Sequence, residues 1–274
     1  MFTINASLLL LCIIYTLWNL QWQTTSNQKP ITDIPWMNWL SDFFDKKHFI
    51  KSVSTLTKRR HDGRRSYLFV MMISMALYAF QRDEKPFLYL YTQLKFSWTL
   101  EIYTYFKTYQ SAAFVLMMLI AIPIMNKLLK WRDTVIIIIG AFAHAAGRIC
   151  FGLATVPWLF YVGATIASLG PTVAPVLRSM TSKLVSVEER GTIFALLSVF
   201  DNAVPLFSGV LYTNLYKATI NTNPASIFWL TFTTQLLVVL LIMYILFNSK
   251  LLIVSLILQL FFSQFNSREK TKAN

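Results

Sequence analysis

"GTIFALLSVFDNAVPLFSGVLYT", residues 191–213, is apolar except for a few hydroxyl and amide groups and one carboxylate, Asp201. Roughly 20 residues of helix cross the ~30 Å hydrocarbon layer of a bilayer, so the run is long enough to span one. Counted from Gly191, Asp201 then sits ~15 Å deep by helix rise, near the midplane. Its side chain is too short to reach the headgroups, and an acid at that depth marks a functional group or a buried partner. Ser198, Asp201, Pro205, Ser208 and Tyr212 recur every three or four residues and form one polar stripe, with Asn202 beside the acid. Such a stripe faces a bundle interior or an aqueous path. Two readings are open for Asp201. It lines a water-accessible path and handles a proton or a substrate charge, or it pairs with a neighbouring helix through His144 or Arg178.

The same grease recurs at 4–20, 67–80, 103–125, 134–153, 157–177 and 227–247. Of the 274 residues, 55% are hydrophobic and only 14% charged, which excludes an ordinary soluble domain and a disordered chain. An all-α membrane protein is the expectation. The net charge of +13 belongs to loops rather than to a nucleic-acid surface. Cys12 and Cys150 both lie in apolar runs, so neither a disulfide framework nor a metal site is expected. No cofactor is implied. The first run lacks a basic leader and a small-residue cleavage site, which favours a span over a cleaved signal peptide.

Charge sets the expected orientation. The segment 22–66 holds Lys46, Lys47, Lys51 and the cluster "KRRHDGRR" (58–65), so by the positive-inside rule it is cytoplasmic. Loops 126–133 and 178–190 and the basic tail then fall on that same side. Within 22–66, Trp36, Leu40, Phe43, Ile50 and Val53 space an amphipathic helix for the membrane interface. The apolar part of 249–274 is short for a crossing, and lies either in the interface or on the bundle.

Charges also enter the other runs. Tyr67–Phe80 covers only ~21 Å at the helix rise before "QRDEKP" interrupts it. Either the helix ends there and the charges form an extracellular loop, or it continues through "PFLYLYTQL". In the second case Arg82, Asp83, Glu84 and Lys85 sit in its outer third and Pro86 breaks the ladder, as in helices that build substrate sites. His144 and Arg148 share a helix face that Gly140, Ala143 and Gly147 make small enough for close packing. His144 is either a neutral hydrogen-bonding group or a proton carrier, and Arg148, near the outer end, can snorkel. Pro171 and Pro175 kink the fifth run. Arg178 beyond them either reaches headgroups or holds a substrate anion by its guanidinium fork.

The segment "PVLRSMTSKLVSVEERGTIFALLSVFDNAVPLFSGVLYTNLYKATINTNP" (175–224), with "FDKKHF", "KRR", "GRR", "YLYTQLKFSW" and "FGLATVPWLFYVGA", resembles solute-carrier family 46. That group holds the proton-coupled folate transporters of the major facilitator superfamily, and the likeness is to insect-type members over about 40–248. It implies an all-α C-terminal six-helix bundle plus one preceding span. Residues 1–21 would be that span, 22–66 a cytoplasmic loop, 67–248 the bundle and 249–274 a cytoplasmic tail. The N-terminal half of the fold would be absent from this chain. The family's coupling arginine corresponds to Arg178 and its acid to Asp201, while a histidine of the folate carriers falls at about Arg82. A multi-pass carrier of the plasma or lysosomal membrane is implied, moving folate-like or other small organic solutes with protons. Asp201, Arg178 and His144 would serve coupling. Arg82, Asp83, Glu84, Ser198, Asn202, Ser208 and Tyr212 would line the cavity.

Other classes fit less well. A seven-span receptor would carry an extracellular cysteine pair and a polar proline motif in its last span, and the sequence has neither. An intramembrane enzyme needs a nucleophile–base or paired-acid constellation, whereas one acid and a distant histidine are all that is offered. A partial chain that does not transport by itself is the remaining alternative.

Overall fold

A computed structural model describes residues 2–19, 54 and 64–248. The amphipathic segment at 36–53, most of the basic loop and the tail 249–274 lie outside the described residues. Residues 1–50 and 51–274 form two compact units. Of the first, helix α1 (Phe2–Asn19) is described. Its leucines at 8–11 are all exposed.

In the second unit α2 (Arg64–Ala79) passes through a 3-10 turn (Phe80–Glu84) into α3 (Lys85–Phe96). Helix α4 (Leu100–Pro123) ends in a wide π turn, Ile124–Leu128, and α5 (Asp133–Leu153) follows. Then α6 (Trp158–Ile166), a 3-10 turn (Ala167–Thr172) and α7 (Val173–Leu184) make one bent rod. Helices α8 (Val187–Thr219) and α9 (Ser226–Asn248) complete the described chain. Leu100–Leu128, Asp133–Leu153, Trp158–Leu184, Val187–Thr219 and Ser226–Asn248 are long and apolar enough to cross a membrane. They match the five later runs of the sequence.

Proline chemistry places the breaks. Pro86 lies in the first turn of α3, where no intrahelical donor is needed. Of the two kinks expected in the fifth run, Pro171 lies within the tightened turn and Pro175 in the first turn of α7. The regular α-helical pattern is therefore interrupted once, at 167–172. Thr99 caps α4 by accepting from the Ile102 N–H at 3.4 Å.

The small face of α5 does what its glycines predict. A Cβ on Gly147 would lie 2.6 Å from the Gly163 carbonyl, and one on Gly140 would lie 2.8 Å from Thr172 Oγ1. Helix α5 therefore packs backbone to backbone against the α6–α7 rod.

The core divides into two apolar layers. One is aliphatic: Leu68, Met72 and Met75 of α2 meet Ile136, Ile137, Leu177, Ile193, Leu197 and Ile242. The other is aromatic: Tyr91, Phe106, Phe151, Phe160, Tyr212 and Phe228. Phe151 stacks on Phe160 at 4.7 Å, and Phe228 meets Tyr91 edge-on at 4.9 Å, both favoured ring geometries. On α2–α3, α5 and α8 the polar residues fall between the segments that feed the two layers.

Candidate functional site

The charged turn 80–84 sets the site. Of the two readings open at "QRDEKP", the helix continues, running from Arg64 to Phe96 with the turn near its middle. The charges lie beyond the midpoint of that stretch, toward its Phe96 end. A 3-10 turn has about three residues per turn, so consecutive side chains point about 120° apart. Arg82, Asp83 and Glu84 consequently reach three different partners.

Arg82 donates from Nη2 to Asp201 Oδ2 at 2.8 Å and from Nη1 to the Asp201 carbonyl at 3.3 Å. Arg178 of α7 donates to the same Oδ2 at 3.1 Å. Asp83 accepts from the Ser208 hydroxyl, about two turns further along the stripe of α8. Glu84 turns inward, where its Oε2 accepts from Arg148 Nε at 2.9 Å. Arg148 Nη2 lies 3.1 Å from His144 Nε2. A guanidinium only donates, so Nε2 is the acceptor and the ring proton of the neutral histidine sits on Nδ1. Three arginines and three carboxylates gather here, with Lys85 exposed beside them.

The two halves of this layer differ in access. The Asp201 side chain is 5% exposed, but its partners Arg82 and Arg178 are 42% and 47% exposed. Arg148 and Glu84 are 7% and 2% exposed. Arg148 therefore does not snorkel. It is buried on α5, over the Phe151 ring at 5.1 Å. His144 packs against Gly170, whose carbonyl accepts from the Tyr78 hydroxyl at 3.0 Å. Of the two partners offered for Asp201, the structure brings Arg178 and not His144.

The polar stripe of α8 splits. Asp201, Ser208 and Tyr212 are buried, while Ser198 and Asn202 are exposed beside the acid. Asn202 Nδ2 donates to the Ser198 carbonyl at 2.7 Å. Tyr212 is held within the aromatic layer, its hydroxyl 2.6 Å from Thr231 Oγ1, so it lines no open surface. Sequence reading missed the Arg82–Asp201 and Glu84–Arg148 pairings. The available signal was that each run held charges without a partner inside the run.

Membrane-length helices enclosing a layer of paired charges define a multi-pass integral membrane protein. No protein-family model matches the chain. Individual relatives do. It is 29% identical over 179 residues to the probable peptidoglycan muropeptide transporter SLC46 of Drosophila melanogaster, covering 62% of this chain and 34% of that protein. It is 32% identical over 89 residues to the proton-coupled folate transporter of Rattus norvegicus, covering 32% of this chain and 19% of the relative. The lysosomal proton-coupled steroid conjugate and bile acid symporter SLC46A3 of Gallus gallus is 27% identical over 158 residues, which is 57% of this chain and 31% of the symporter. The chain is solute-carrier family 46-like over up to 62% of its length, and its described residues are helical, with five helices long and apolar enough to cross a membrane. It spans about a third or less of the length of these relatives, all of which are named as transporters or symporters.

Proposed function

We propose that the chain serves proton-coupled transport of small organic anions, with Arg82, Asp201 and Arg178 as the coupling site. The observation that carries this reading is the convergence of two half-exposed guanidinium groups from different helices on one buried carboxylate oxygen. Each fork suits a carboxylate bidentately, so a substrate anion competes with Asp201 for the same donors. Protonating Asp201 removes the competitor and leaves the arginine pair for the solute. Deprotonation restores the ion pairs and expels it. Charge balance runs the same way: one proton taken up offsets one anion bound.

The named substrates of the relatives support this class. Folates, bile acids and muropeptides all carry carboxyl groups. The buried Glu84–Arg148–His144 set is read as the scaffold that fixes the turn, because its histidine already accepts from an arginine in its neutral form. Uptake of labelled folate and of an anionic dye, at acidic and neutral pH, tests the proposal. Arg178→Ala is expected to abolish uptake and Asp201→Asn to abolish its pH dependence. Unchanged, pH-dependent uptake in both variants refutes it.

A further inference from the structure

Arg82 and Arg178 reach Asp201 from rods that are each interrupted by a 3-10 turn, at 80–84 and at 167–172. Arg82 stands within the first interruption, and Arg178 in the second turn of the helix that follows the other. An α-helix turns about 100° and rises about 1.5 Å per residue, against about 120° and 2.0 Å in a 3-10 turn. Each residue that passes from one form to the other swings the following helix by about 20° and shifts it by about 0.5 Å. The aim of two guanidinium groups at one oxygen therefore depends on the register held at these two places.

The second interruption is short of its own donors. Pro171 and Pro175 carry no N–H, so the carbonyls of Ala167 and Pro171 lack their α-helical partners. The Gly170 carbonyl accepts from the Val173 N–H, as a 3-10 turn requires, and also from outside the rod. The buried Tyr78 hydroxyl donates to it at 3.0 Å. Tyr78 lies in the last turn of α2, one helical turn before Arg82. The same two rods meet again in the aliphatic layer, where Thr181 Oγ1 lies 3.3 Å from Met71 Sδ, but a thioether is a weak acceptor. No Cβ fits at Gly170, because the His144 ring lies against it, and His144 leads through Arg148 to Glu84 of the first interruption. The ordinary account is that a buried tyrosine has found an acceptor. Here the acceptor is a carbonyl of the segment where α-helical bonds do not fix the register of the Arg178 rod.

We propose that Tyr78 is a positioning residue: its bond to the Gly170 carbonyl holds the Arg178 rod in register with the Arg82 turn, so that both guanidinium groups converge on one anion-binding point. The inference rests on the coupling reading of Arg82, Asp201 and Arg178. The test uses the full chain in proteoliposomes with carboxyfluorescein as probe. A Cys12→Ser, Cys150→Ser background carries spin labels at Leu94→Cys and Ser179→Cys, both exposed positions. Tyr78→Phe keeps the ring and removes the donor. It is expected to raise KM about tenfold, the loss of one of two charge-assisted hydrogen bonds to the anion, with Vmax unchanged, and to broaden the distance distribution between the labels. Pro171→Ala, which returns an N–H to the interruption without touching the tyrosine, is expected to do the same. A hydroxyl that only satisfies itself would lower the unfolding midpoint and leave KM and the label distances alone. That result, a fall in Vmax alone, or a Tyr78→Phe chain that does not fold overturns the inference. Wild-type KM in either variant, with uptake by the unsubstituted chain, overturns the positioning role and leaves the coupling reading standing. No uptake by the unsubstituted chain refutes the coupling reading and the positioning role with it.

Discussion

Arg82 and Asp201 are 119 residues apart in the chain, and their side chains meet at 2.8 Å in the middle of the bundle. The contact exists because a 3-10 turn interrupts one rod at the depth where α8 carries its only acid beyond the first turn. Arg178 approaches the same oxygen from α7 at 3.1 Å. An acid shared between two cations on an accessible face is the arrangement from which the following outcomes are expected.

Asp201→Asn keeps the shape and removes the charge. If the carboxylate competes with the solute anion, acid favours uptake because protonation frees both guanidinium groups. The variant is expected to lose that dependence and to show the acid-like behaviour of the wild type at neutral pH. Initial uptake rates of an anionic dye across a pH series measure it.

The Glu84–Arg148 pair behaves differently because water does not screen it. Removing one partner of a buried pair leaves an uncompensated charge, at a cost of about 3–5 kcal/mol. Glu84→Gln and Arg148→Met should each lower the unfolding midpoint sharply in detergent. The double variant should recover much of the loss, giving a strongly non-additive cycle. Additive losses would show that the pair is not coupled.

Gly147 sets the spacing between α5 and α6. A Cβ there would meet the Gly163 carbonyl at 2.6 Å and the Ala167 Cβ at 2.7 Å, and backbone cannot yield as a flexible side chain does. Gly147→Ala is expected to destabilise by about 1–3 kcal/mol through overpacking. Gly191→Ala, with nothing within 4 Å of the added carbon, is the control. Thermal unfolding of the two variants side by side decides the matter.

Ser208 holds Asp83 to α8. In Ser208→Ala the carboxylate loses that donor, with an expected cost of about 1–3 kcal/mol. Ser208→Thr, which keeps the hydroxyl, should retain most of the stability. Equal losses in both variants would assign the effect to packing.

The legible part of this protein is the part governed by period and length. The runs at 103–125, 134–153, 157–177, 191–213 and 227–247 each became a membrane-length helix, because burying about 20 apolar residues leaves the backbone little choice but to satisfy itself. Gly140 and Gly147 announced a close helix contact for the same local reason. Asp201 announced itself as well: its depth along one helix is a matter of counting.

What the acid touches was not legible. Helical spacing states which residues share a face but not which helix lies opposite, so it leaves Arg178 and His144 as equal candidates and does not offer Arg82. The open question at "QRDEKP" turned on whether neighbouring helices could supply partners for three successive charges, and only the packed bundle answers that. Sequence alone determined the helices, their membrane character and the depth of the acid, since those follow from local hydrogen bonding and the cost of polar groups in hydrocarbon. Tertiary structure decided the partners: Arg82 and Arg178 on Asp201, Arg148 on Glu84. Ion pairs between helices depend on rotation and offset about axes that no single segment encodes.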